Sequence, residues 1–547
     1  MQTFKLKAKL VDVVKRIVFP AEIIVQEGRV TYIKPAPADE CKTYILPGFI
    51  DAHVHIESSL MIPSEFARMA VNHGTVATVS DPHEIANVIG VKGVEFMLQN
   101  AAKVPFHFFF GAPSCVPATT FETAGAEINS EEVAQLLARK DIWYLAEVMN
   151  FPGVLDDEEE VMKKIKWAWH YNKPIDGHAP GLRGRAVEKY ASAGITTDHE
   201  CFTIEEARDK IAAGMKIQIR EGSAARNFEA LHPLLQSNPE RVMFCSDDKH
   251  PDHLFAGHIN LLVKRALQLD YDLFDVLRAA TLNVRDHYQI PVGMLQLGDP
   301  ADFIQVDNLV DLNVLRTFIK GECVSTLGVT HINSIEETEV NCFHSYEVAL
   351  NELKVRQEPN HKLNVIEAIE GQLITNRLLV EPQMVVNGYI ESDTHNDILK
   401  IAVVNRYEKT IPAIGFIKNI GIKNGAFAAT VAHDSHNIIA IGCDDISLQK
   451  AINTLMASKG GLCVVSETGT DLLPLPIAGL MTNKDAWEVN EIYTRLDRKV
   501  KEELGSLLNA PFMTLSFMAL LVIPSMKLSD QGLFDGNLFR FMNLQET

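Results

Sequence analysis

PGFIDAHVHIESS, residues 47–59, places two imidazoles one residue apart behind an apolar run, Ile45–Ile50, broken only by Pro47 and Gly48. A β-strand turns alternate side chains to the same side, so Asp51, His53 and His55 are expected on one face. The chain holds 19 histidines in 547 residues, and an H-x-H pair can be nothing more than surface histidines at a strand end. It can equally be half of a metal site, because imidazole is the commonest ligand of Zn, Fe, Mn and Ni. The pair alone leaves both readings open.

Beyond it, short β-rich runs alternate with amphipathic stretches up to residue 247. The runs are FIDAH (49–53), TVATVS (75–80), FHFFF (106–110), IWYLAE (142–147), KPIDGH (173–178), GITTD (194–198), KIQIR (216–220) and VMFCS (242–246). Helices are expected between them from their start and stop signals: Pro63–His73 closed by Gly74, SEEVAQLLARK begun at Ser130, and TIEEARDKIAAG capped by Thr203 and ended by Gly214. Strand starts recur roughly every 20 to 36 residues, the length of a β/α unit, and eight such units close into a (β/α)8 TIM-type barrel. The alternative, an open doubly wound sheet, usually carries a glycine-rich phosphate loop, and no G-x-G-x-x-G follows an early strand.

In a barrel, residues at the carboxyl ends of strands converge on one mouth. Here those residues are His53 and His55, Asp81, Glu147, His178, His199, and Asp247 with Asp248. Setting Asp81 and Asp248 aside, His53, His55, Glu147, His178, His199 and Asp247 are six candidate ligands, more than a single four- or five-coordinate ion needs once a water is counted. Two divalent ions, about 3.5–4 Å apart, fit better. Glu147 can give one oxygen to each ion. Asp247 can ligate one ion and carry the proton of a hydroxide held between them.

The P-G-F-I-D-x-H-x-H opening, the strand-end histidines and the strand-eight aspartate resemble the amidohydrolase superfamily. Many of its binuclear members bridge their metals with a carboxylated lysine on strand four, but YLAEVMNF (144–151) has Glu147 there and no lysine. With a bridging glutamate, residues 50–90 resemble the adenine deaminase family within that superfamily. So do DGHAPGL (176–182), TTDHE (196–200), IREGSAARN (219–227), FCSDDKHPD (244–252), VAHDSHNI (431–438), LPLPIAGLM (473–481) and PFMTLSFMAL (511–520). The resemblance covers nearly the whole chain.

It implies hydrolysis of adenine to hypoxanthine and ammonia by hydroxide attack at C6, in purine salvage or catabolism. It also implies two metal ions, Mn2+ or Fe2+, with Zn2+ not separated by O/N ligands alone. Glu221 and Glu84 are the candidates to protonate the purine ring. Asp81, Arg220, Ser223 and His433 are candidates to bind the substrate, and His436 could also reach the mouth. Plainer roles exist for several: Asp81 and Glu84 at a helix start, Arg220 and Glu221 as a surface pair, HDSHN (433–437) as a turn. The rival functions are a relative that opens a cyclic amide, as a dihydroorotase does, and a non-catalytic binding relative. The zinc-deaminase pattern H-x-E followed by P-C-x-x-C is absent from the sequence.

Flanks 1–48 and 292–333 are expected to pair into a small β-sandwich around a barrel at 49–291. Residues 334–363 read as a connector and 364–547 as a second α/β unit. A formal charge of −20 argues against a nucleic-acid partner. Eight cysteines without a C-x-x-C pair suit a reducing cytoplasm. The uncharged window LNAPFMTLSFMALLVIPSM (508–526) contains Asn, Thr, Ser and Pro, and is expected in a core rather than a membrane. A homo-oligomer, as a dimer, is the expected assembly.

Overall fold

The computed structural model describes residues 3–547. All eight expected barrel strands form: β1 (Phe49–His55), β2 (Thr75–Ser80), β3 (His107–Ala112), β4 (Ile142–Val148), β5 (Ile175–Gly177), β6 (Thr197–Asp198), β7 (Lys216–Arg220) and β8 (Val242–Cys245, resumed at Asp247–Asp248). β1 to β5 pair in parallel in sequence order, and so do β6 to β8. Two joins close the ring. Asp247 and Asp248 pair with Val54 and His55 of β1, and Thr196 N donates to Ile175 O at 2.9 Å between β5 and β6. An open doubly wound sheet would leave two edges; here strand eight returns to strand one.

Local signals place most helices. Pro63 starts a helix that gives way to a 3-10 turn ended by Gly74 in the left-handed region. Thr203 caps Ile204–Ala212 by accepting from Glu206 N. The helix expected from Ser130 is capped one residue earlier. Asn129 accepts from Glu132 N while Glu132 accepts from Asn129 N, a reciprocal capping box.

Strands from both flanks share one eight-stranded sheet. Its join is antiparallel, Tyr44–Pro47 against Phe303–Val306, over a core that includes Leu10, Ile23, Ile45, Phe303 and Phe318. From Ser334 the chain has no regular structure until a 3-10 turn at Leu350–Leu353. A mixed sheet then begins at Lys362–Ala368, with Ile398–Val404 and Gly461–Ser466 among its strands and helix Asp445–Ser458 packed on it. Its partner contacts with the barrel are direct: Thr482 N donates to Leu60 O at 3.0 Å and Ala486 N to Glu65 Oε2 at 2.9 Å. Residues 508–526 fold as a short buried helix, Pro511–Phe517, and a turn. Among the described residues no helix is long and apolar enough to cross a membrane.

Candidate metal centre at the barrel mouth

β1 carries His53 and His55 to the mouth, but its register against β2 shifts between Asp51 and Val54. Asp51 therefore leaves the face predicted from strict alternation. Its carboxylate accepts from Ser246 N at 3.0 Å and lies 2.8 Å from His258 Nε2, pinning β8 to β1.

His55 Nδ1 lies 3.2 Å from the carbonyl of Asp81. A carbonyl only accepts, so Nδ1 holds the hydrogen and Nε2 presents a lone pair. That lone pair faces His53 Nε2 at 3.1 Å, Glu147 Oε1 at 3.3 Å and Asp247 Oδ1 at 3.4 Å. Two carboxylate oxygens and the His55 lone pair, so close and so buried beside His53 Nε2, make a site that suits a cation. The other oxygen of the same glutamate, Glu147 Oε2, lies 2.7 Å from His178 Nδ1 and 3.3 Å from His199 Nε2. The six candidate ligands are thus sorted into two adjoining donor sets, with one carboxylate contributing to both. N and O donors in this geometry suit divalent metal.

Electrostatics favour charge on the carboxylates. Burial works against ionising Glu147, but His178 and His199 overcome it and hold its carboxyl well below the usual range. Burial also opposes ionisation of Asp247; Arg220 and His55 reverse that. Arg220, 1% exposed, is no surface partner of Glu221. Its guanidinium binds Asp247 Oδ2 at 2.6 Å and both oxygens of Glu200, leaving Asp247 Oδ1 for the cluster.

Asp81 and Glu84 begin the helix His83–Ile89 and are both buried. Asp81 Oδ1 accepts from His83 N at 3.0 Å, and Oδ2 lies 3.1 Å from His83 Nδ1. Glu84 Oε1 is 3.4 Å from His83 Nε2 and 3.1 Å from His433 Nε2. Glu84 Oε2 meets His436. The HDSHN loop is therefore no surface turn; both histidines enter the mouth. Two other candidates stay outside it. Glu221 Oε2 pairs with Arg265 at 3.1 Å, and Ser223 Oγ accepts from His250 N at 2.8 Å and lies 2.7 Å from His253 Nδ1.

Sequence reading put Asp248 at the mouth without a role, and missed Glu200, Asp434 and an apolar roof of Met149, Leu373, Phe517 and Leu520, all lining the same cavity. Glu200 was within reach as the neighbour of His199 in TTDHE. The roof residues carry no chemical signal, and only the fold brings residues 373 and 517–520 over residue 147. Lys527 ties the roof together, donating to Leu373 O at 2.5 Å and Phe517 O at 3.0 Å. The space left is about 20 Å³, far below the about 300 Å³ of small ligand pockets. Met149 also borders a second cavity of about 920 Å³ that reaches Cys115, Phe151 and Val522.

Residues 44–324 match the amidohydrolase family model and residues 372–540 the adenine deaminase C-terminal domain. Adenine deaminase of Salinibacter ruber is 53% identical, over 99% of this chain and 99% of the relative. Adenine deaminase of Sulfurovum sp. is 52% identical, over 98% and 99%, and that of Methanosarcina acetivorans is 49% identical, over 98% of each. Likeness of this degree, running through barrel and carboxy-terminal unit alike, means that the chain belongs to the adenine deaminase family of the amidohydrolases.

Proposed function

We propose that the chain hydrolyses adenine to hypoxanthine and ammonia at the barrel mouth, with His53, His55, Glu147, His178, His199 and Asp247 holding two divalent ions. The supporting observation is full-length identity near one half to adenine deaminases, combined with all six donors converging. Nitrogen and oxygen donors without cysteine suit Mn2+ or Fe2+, with Zn2+ as the competitor. Bound ions would make a water acidic enough to ionise near neutral pH.

The chain's own groups then divide the proton work. Asp247 Oδ1 faces the cluster while Arg220 fixes Oδ2, so Oδ1 takes the proton released as the water oxygen bonds to C6. Glu84 is the acid for the ring, since Glu221 is turned to Arg265; kept ionised against burial by His433, His436 and His83, it takes up the first proton as the water ionises and gives it to N1 as C6 becomes tetrahedral. The proton on Asp247 passes to the departing amine, and ammonia leaves as the C6–O bond gains double-bond character. Leu373, Phe517 and Leu520 keep bulk water out. Substrate enters past Met149 from the larger cavity. The eight cysteines are free, in keeping with a cytoplasmic enzyme of purine salvage, and a homodimer is the proposed assembly.

The test is purified protein loaded with Mn2+ or Fe2+ and given adenine. Loss of adenine absorbance with one ammonia per hypoxanthine is expected. A metal-replete, folded protein that leaves adenine intact and opens a cyclic amide without releasing ammonia contradicts the reading.

A further inference from the structure

His436 stands on the carboxy-terminal unit, 352 residues from Glu84 in sequence, yet its imidazole ends on that carboxylate. Its tautomer is fixed locally. Ala432 N donates to His436 Nδ1 at 3.2 Å, so Nδ1 is the acceptor and Nε2 bears the hydrogen that Glu84 Oε2 receives. Burial, against the pull of Glu84 and with a push from His433 and Arg406, keeps His436 down at about 4; it is a neutral donor. The loop that carries it is itself anchored. Arg406 N donates to Asn437 Oδ1 at 3.2 Å, Tyr407 donates to Ser435 O at 2.6 Å, and Asn437 Nδ2 donates to Thr123 O of the barrel at 2.9 Å. His436 is fully buried and Glu84 is 2% exposed.

On its own helix Glu84 meets only His83. It lies in the first turn, where the N-cap Pro82 makes no side-chain cap, and three side-chain torsions separate its carboxylate from any fixed direction. With Oε2 taken by His436, the plane of the carboxylate is set and Oε1 is left facing His433 and His83 at the mouth. The amidohydrolase match ends at residue 324, so the barrel supplies the acid and the appended unit supplies its orientation.

We propose that His436 is the positioning residue for Glu84: its Nε2–H fixes the carboxylate so that Oε1 meets the purine ring, and the carboxy-terminal unit thereby completes the catalytic site. This rests on the deaminase reading and on Glu84 as the ring acid.

The experiment compares full-length wild type, His436→Leu, His436→Gln, Glu84→Gln and the Glu84→Gln/His436→Leu double variant, all loaded with Mn2+. Metal per chain, kcat and KM for adenine are measured for each. A misdirected acid should cost on the order of 10²-fold in kcat, with KM and metal content near wild type. Glutamine retains an N–H donor, so His436→Gln should recover about ten-fold of the leucine loss. The double variant should be no slower than Glu84→Gln alone, because the two residues act as one unit. Wild-type kcat in His436→Leu, a loss that follows metal content, equal losses in the leucine and glutamine variants, or multiplied losses in the double variant would each overturn the proposal. Failure of wild type to deaminate adenine would instead overturn the deaminase reading.

Discussion

At Glu147 the two carboxylate oxygens look in different directions, Oε1 to His55 and His53 and Oε2 to His178 and His199. Glutamine keeps the size of the side chain but loses the charge that would offset the proposed pair of cations. In Glu147→Gln, metal measured per chain should fall from about two toward about one, with turnover falling in parallel. Glu84→Gln should keep its metal while losing rate. Full metal and near-normal rate in Glu147→Gln would remove it as a bridge. That the six candidate donors come together was legible because metal chemistry restricts such residues to few types, and strand ends gave their positions. Glu84 was only half legible. Its place in a first helical turn is enough to explain an acidic residue, and the histidines that hold it lie some 350 residues on. Arg220 and Glu221 show the converse: adjacent in sequence at the end of β7, they part, one bonded to Asp247 and one to Arg265.

Element by element, periodicity located all eight barrel strands, since β-branched and aromatic runs between helix signals are a local property. Their ends were less legible. β5 and β6 shrink to Ile175–Gly177 and Thr197–Asp198, and β1 breaks its alternation at Asp51, because ring closure rather than local preference decides pairing there. Gly177 illustrates the constraint. A Cβ at this position would stand 2.4 Å from Thr197 O of the neighbouring strand, and backbone cannot swing away as a side chain can. Gly177→Ala should destabilise the fold by about 1–3 kcal/mol and, by displacing the adjacent His178, reduce metal occupancy; unchanged metal content and midpoint would refute the crowding. The roof offers a pH test. Burial lowers Lys527 to about 7, while the unfolded chain keeps its proton to the ordinary lysine range. Between these values the unfolded state binds more protons, so this group makes stability rise with pH, by at most about 1.4 kcal/mol per unit. Urea midpoints of wild type relative to Lys527→Met should therefore climb from pH 7 to pH 9.5; a flat or falling difference would mean the amine is charged in the fold.

For the whole molecule the decisive fact is that one apolar cluster runs without a break from Phe49 and Val79 of the barrel to Phe427, Leu475 and Phe512 of the carboxy-terminal unit. Sequence could divide the chain into a barrel and an appended unit from strand spacing, but not predict that their cores merge, because residues such as Leu480 and Met513 read only as apolar. Merged cores make partial unfolding expensive: releasing either unit strips apolar surface from the other, at roughly 25 cal/mol per Å² exposed, and separates His436 from Glu84. Tryptophan reports on both units. Trp143, Trp167 and Trp169 lie in the barrel and Trp487 in the other unit, where it packs 5.0 Å from the Arg68 guanidinium of the barrel. Trp487→Phe and a variant keeping only Trp487 should show the same urea midpoint by fluorescence as the full protein shows by circular dichroism. Chelating the metal should lower both midpoints together, since ions bound only by the native state stabilise whatever unfolds with their site. Two separated midpoints, with only the barrel signal moving on chelation, would show instead that the units unfold independently and that the shared core does not couple them.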